Sequence, residues 1–262
     1  MKTLWIGCSH SAGTYNLKNE NINQFGIPCV VGTSFDYDNW KIVACPGYGI
    51  IEYSNIVSEL YYNNLLDFDN IIVQLTTEPR LLGLEKEAEI LKYPRLFEYI
   101  RADKNTPYRL DDDVSHPIEF KMVFNMHPVS LYELYIGTFP ENRSVKVDDA
   151  LLTMTQNIYQ SLSKLLLPTI RQSYRSIVDI CEKEKINLYM FNYISGEKTY
   201  KYLTNINYEK YDILGCKGLY ETSTESEKEK FYHPENHHPL EGAVINKSKV
   251  IINALKEHGF KG

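Results

Sequence analysis

A hydroxyl, an imidazole and a carboxylate stand in this 262-residue chain where they could form a nucleophile, its base and the base's orienting acid. Near the N-terminus, Leu4-Trp5-Ile6-Gly7-Cys8-Ser9-His10-Ser11-Ala12-Gly13 reads as a short apolar strand, a Gly-X-Ser turn and a loop of small residues. A serine so placed stands at the C-terminal edge of a sheet, where open α/β folds bind ligands. Gly7 permits a tight turn, and the backbone N–H of Ser9 can point at an oxygen that gains charge. Cys8 is the rival nucleophile, and neighbouring strand residues point to opposite sides. Near the C-terminus, Tyr232-His233-Pro234-Glu235-Asn236-His237-His238-Pro239-Leu240-Glu241-Gly242 offers a histidine base with a carboxylate three residues before it. In a turn, Glu235 can meet His238, fix its tautomer and stabilise the imidazolium. The same cluster also admits a metal site, although adjacent histidines chelate awkwardly, or a plain polar loop before a capped helix.

These groups need a scaffold that brings both ends of the chain together. Five runs have strand length and composition: Thr3–Ile6, Cys29–Val31, Lys41–Ala44, Asn70–Leu75 and Asn187–Phe191. Continuous apolar stretches such as Ile71-Ile72-Val73 suit strands covered on both faces, as in parallel sheets. Between them lie helical patterns. From Ser54 onward, Ile56 and Leu60 share a face, as do Val57, Tyr61 and Leu65. Asp148 and Asp149 are placed to cap a helical segment reaching about Lys185, which Pro168 should kink or split. Leu240, Val244, Ile251 and Leu255 mark a last helix, stopped by Gly259. Strands alternating with helices predict a three-layer α/β fold of one domain. The segment from about Leu81 to Val147 fits this alternation poorly and reads as an insertion; Glu221–Lys230 reads as a solvated loop.

The N-terminal run resembles the first block of the SGNH (GDSL-type) serine hydrolases, Gly-Asp-Ser-X-Thr/Ser-X-Gly, through Gly7, Ser9, Ser11 and Gly13; Cys8 departs from its Asp. Lys41-Ile42-Val43-Ala44-Cys45-Pro46-Gly47-Tyr48-Gly49 is similar to the second block, an apolar strand entering a glycine loop. Glu235 and His238 keep the spacing of the last block, Asp-X-X-His-Pro, with Glu in place of Asp. The third block breaks the pattern. Where the family reads Gly-X-Asn-Asp, this chain has Thr76-Thr77-Glu78-Pro79-Arg80. Glu78 takes the place of the oxyanion-donating Asn, and an ionised carboxylate cannot donate. Thr76, Thr77 or Arg80 could substitute, and Arg80 could equally pair with Glu78.

The resemblance implies a flavodoxin-like fold with a parallel sheet of about five strands, single-domain over residues 1–262 with the insertion at about 81–147. It implies a serine esterase: Ser9 attacks an ester carbonyl, His238 takes its proton, Glu235 orients His238, and the N–H groups of Ser9 and Gly47, with Gly49 second, hold the oxyanion. Short acyl esters, O-acetyl groups on carbohydrate among them, are the substrate class that the analogy suggests. No cofactor or metal is implied. The loss of the block-three Asn keeps a second reading open, an SGNH-type fold that binds carbohydrate or protein without hydrolysis.

The net charge of −6 gives no general pull toward nucleic acid or anionic membrane. No run approaches the roughly 20 apolar residues of a membrane span, and the apolar stretch at the N-terminus is too short for a signal peptide. Five scattered cysteines without a Cys-X-X-Cys pair suit a reducing compartment. A cytoplasmic protein is expected; the abundance of Tyr, Asn and Lys is the usage of an AT-rich genome, viral ones included.

Overall fold

Four of the five apolar runs form one parallel sheet. The computed structural model describes residues 1–13, 15–16, 21–22, 26–35, 39–45, 49–75, 80–82, 128–130, 168–195, 203, 207–232 and 238–261. Strand β1 (Thr3–Cys8) lies between β2 (Trp40–Cys45) and β3 (Asn70–Leu75), and β3 pairs with β4 (Asn187–Asn192). The order is therefore 2-1-3-4, with every pairing parallel. The chain leaves β1 to one side and returns past it to the other. That reversal makes the C-terminal ends of β1 and β3 the switch point of the sheet, the place where doubly wound folds bind ligands.

Alternation along each strand builds two cores. Leu4, Ile6, Val43, Ile71, Val73, Leu188 and Met190 face one layer, which holds α3 (Ile50–Tyr62) and the helix of residues 168–184, α4. Trp5, Ile42, Ala44, Ile72, Tyr189 and Phe191 face the other, with α2 (Ile27–Thr33) and α6 (Glu241–Glu257). The three-layer α/β arrangement follows, since strands apolar on both faces must be covered on both.

The run at Cys29–Val31 is not a strand but part of α2. Gly26 precedes the helix and Pro28 sits in its first turn, where a missing N–H costs nothing. Three apolar residues are too few for periodicity to separate strand from helix. Among the described residues the sheet accordingly has four strands, not five. Beside β4 runs a segment that pairs only at two points, Met190 with Asp212 and Asn192 with Gly218. Between them the chain bulges away: Gly215 and Cys216 take positive φ, and the Asp212 carboxylate accepts from the Leu214 and Cys216 N–H groups.

The charged stretch at Glu221–Lys230 is also a correction, because Glu225–Phe231 forms helix α5. Thr224 and Glu227 make a reciprocal capping box at its start. Three helices stop in the same way, with a residue at positive φ and a backbone bond back across the turn. Asn64, Lys185 and Gly259 hold those positions, and Leu65, Ile186 and Phe260 donate to Leu60, Cys181 and Leu255. Leu65 thus leaves the face that Val57 and Tyr61 began, and it is exposed. Within the region of the expected insertion, Arg80–Leu82 pairs antiparallel with Pro128–Ser130; the rest of 81–147, like the cap expected at Asp148 and Asp149, lies outside the described residues. Among the described residues no helix is long and apolar enough to cross a membrane.

Candidate functional site

Strand β1 ends at Cys8, and the chain turns at once into a single helical turn, α1 (Ser9–Ala12). Gly7 allows it to. A Cβ on Gly7 would lie 2.4 Å from Ser11 Oγ and 2.6 Å from Ser11 Cβ, so α1 could not fold back so tightly over a larger residue. A second glycine, Gly26, admits the other side of the turn: a Cβ there would lie 2.3 Å from the Ser11 carbonyl oxygen.

A buried network fixes the turn from below. The Gln74 side-chain oxygen, near the end of β3, accepts from the Cys8 N–H (3.1 Å), the Cys8 thiol (3.3 Å) and the Ser11 hydroxyl (2.9 Å). The Trp5 indole N–H donates to Ser11 Oγ at 3.0 Å. The Gln74 amide nitrogen donates to the Leu75 carbonyl. Trp5, Ser11 and Gln74 are all buried, and removing the shared acceptor would leave a buried donor unsatisfied at about 1–3 kcal/mol. Ser11, matched above to the family's first block, therefore serves the architecture of the turn.

His10 joins the N-terminal turn to the C-terminal loop. Only 3% exposed, it lies with Nδ1 3.2 Å from the Cys8 sulfur. One face of its ring stacks on Tyr193, centroids 4.2 Å apart. Its ring also stacks on His238, with centroids 4.5 Å apart and planes inclined by 9°. Tyr193 follows β4 and hydrogen-bonds by its backbone to Leu75 and Tyr220. Its hydroxyl has no hydrogen-bond partner among the described residues, and burial pushes it well above the ordinary tyrosine range, so it stays protonated. Tyr232, at the start of the C-terminal loop, is pushed up to about 12 by the same cause, though the Ser223 hydroxyl bonded to it works the other way.

The C-terminal loop is pinned at its neck. Tyr232 and Pro239 form an antiparallel bridge, and the Leu240 N–H donates to the Phe231 carbonyl. Helices α5 and α6 approach closely there, for a Cβ on Gly242 would lie 2.3 Å from the Phe231 ring. The neck delivers the half-buried His238 to the end of β1.

The predicted site residues fare as follows. His238 arrives beside the N-terminal turn. Ser9 opens α1, next to His10, and its hydroxyl lies outside the described residues, as do Glu235, Gly47, Thr76, Thr77 and Glu78. Arg80 is placed by its backbone alone, opposite Ser130. Gly49, the second choice for the oxyanion hole, is corrected: its N–H donates to the Glu52 carboxylate at 2.8 Å, capping α3, and is not offered to a ligand. Cys8 is completely buried beneath the turn, which argues against a thiol nucleophile. Among the described residues no three His, Cys, Asp or Glu side chains converge to hold a metal. Sequence reasoning missed Gln74, His10 and Tyr193. Gln74 had a signal, a lone amide inside an apolar strand, which demands partners. His10 and Tyr193 had none, since their contacts join distant segments. No protein-family model, curated protein or solved structure matches this chain.

Proposed function

We propose that the chain is a serine esterase of SGNH type, acting on a short acyl ester. The observation that carries this reading is the arrival of His238 against the turn that begins with Ser9, at the switch point of a doubly wound sheet. In this reading Ser9 Oγ attacks the ester carbonyl and His238 takes its proton. The tetrahedral oxyanion rests on the Ser9 N–H, with Gly47 as the second donor. The acyl-enzyme forms as the alcohol leaves with the proton from His238, and water then reverses the sequence. Glu235 supplies the negative charge on the far side of the imidazole. Acetyl groups on carbohydrate are the substrate we would try first, together with p-nitrophenyl acetate.

A fluorophosphonate probe tests the reading directly, because it marks a serine activated by a base. Wild type should label at Ser9, and Ser9→Ala should lose both label and ester turnover. Cys8→Ala should still label at Ser9, the thiol being sealed beneath the turn. Turnover should fall as pH drops below about 6–7, where a histidine base takes up a proton. Glu78 favours the second reading, a carbohydrate- or protein-binding module, because it stands where the family has its Asn donor. Loss of one oxyanion donor typically slows catalysis about 100- to 1000-fold. Absence of both labelling and turnover in the wild type would leave the binding module as the better account.

A further inference from the structure

We infer that His10 is a positioning residue, whose ring face holds the imidazole of His238 in the plane from which it works. The inference rests on the esterase reading and deepens it. His238 reaches the site on a loop pinned at Tyr232 and Pro239, and it is the residue directly before that neck. A base on a loop needs its ring plane defined, since a misplaced proton acceptor costs rate steeply. Stacking at 4.5 Å and 9° defines that plane from one side.

His10 is itself held on three sides, which makes it a rigid platform. Tyr193 covers its other stacking contact at 4.2 Å, the Cys8 sulfur meets Nδ1 at 3.2 Å, and α1 is fastened below by Ser11 and Gln74. The chain of contacts therefore runs from the sheet edge, through Gln74 and Cys8, to His10 and then His238. Because His10 is adjacent to Ser9 in α1, one turn carries both the nucleophile and the platform for its base. The spacing between the two is then set locally, within one helical turn.

The test separates the ring face from the ring nitrogens. His10→Leu fills the volume without a flat face, and His10→Phe restores the face without nitrogens. The fluorophosphonate labelling rate at Ser9 should fall about tenfold or more in His10→Leu and return to within about threefold of wild type in His10→Phe, with thermal melts checking that both fold. A proton Overhauser contact between the His10 and His238 rings, assigned with His238→Gln, should be present in the wild type whether or not it labels. The inference is overturned if that contact is absent, if His10→Leu labels as fast as wild type, or if His10→Phe is as slow as His10→Leu. The last result would mean that a nitrogen, not the face, matters. A wild type that shows the ring contact but never labels would sink the esterase reading, and with it the catalytic purpose of the platform, while leaving the stack itself in place.

Discussion

Gly7 has no room for even one added carbon, because the Ser11 side chain occupies the space a Cβ would take. The constraint is close approach rather than an unusual backbone angle, since Gly7 is not among the residues at positive φ. Its consequence is chemical. With α1 folded tightly over the end of β1, Ser11 bridges Trp5 and Gln74, and His10 is turned toward His238. Gly7→Ala should therefore cost about 1–3 kcal/mol of stability through overpacking. Because relief requires α1 to shift, labelling at Ser9 should fall by more than the change in folded population explains. Denaturant melts and labelling of the same sample measure the two effects. An alanine variant with wild-type stability and labelling would show that the turn is looser than described.

Helix α6 covers one face of the sheet, and its buried side is not wholly apolar. Lys247 is 4% exposed, and its ammonium donates to Thr222 Oγ1 at 3.0 Å. Burial lowers the lysine's affinity for its proton, and nearby Lys228 adds to this, while the Glu227 carboxylate opposes it. A lysine whose folded pKa is depressed binds its proton more tightly when unfolded. Stability should therefore rise as pH climbs through that alkaline range, and Lys247→Met should remove this dependence. The methionine keeps the stem's packing and discards the desolvated charge, so the variant should melt at a higher temperature than wild type near pH 7. A lower melting temperature would mean that the Thr222 bond and Glu227 outweigh the burial cost. The same helix illustrates a limit of pattern reading. Leu240, Val244, Ile251 and Leu255 announced its apolar face, yet Lys247 lies on that face too.

At the scale of the molecule, two cores lie on either side of a four-stranded sheet. The layer made by α2 and α6 depends on the last residues of the chain. Val244, Ile251 and Leu255 are completely buried there, over Trp5, Ile72 and Phe191. At about 1.5–3 kcal/mol for each large aliphatic side chain, they represent much of the roughly 5–15 kcal/mol by which a domain is stable. A chain ending at Leu240 should therefore lose its cooperative thermal transition, even though every strand remains. Calorimetry on the shortened chain checks this; a sharp transition close to that of the full chain would show that the layer is dispensable. Since His238 sits just before α6, the helix both closes the core and anchors the loop that carries the candidate base.

Local pattern was enough to identify four strands and the last helix, while the segments of His10 and His238 drew notice through the resemblance of their motifs. Buried strands write continuous apolar runs, and turns that must be tight need glycine. It was not enough for Cys29–Val31 or Glu221–Lys230, where short runs carry little periodicity and caps decide: Pro28 for the one, Thr224 with Glu227 for the other. Nor could it reveal that the Gly49 N–H is used to cap α3, or that a segment with a turn fixed by Asp212 meets β4 at isolated bridges. Tertiary structure decided the role of His10. Its neighbours Tyr193 and His238 come from different elements far along the chain, and such a stack exists only once the sheet order 2-1-3-4 has set β1 beside β3 and the C-terminal neck has been drawn over their ends. Residue types record which chemistry is available; the packing of distant elements determines which side chains share it.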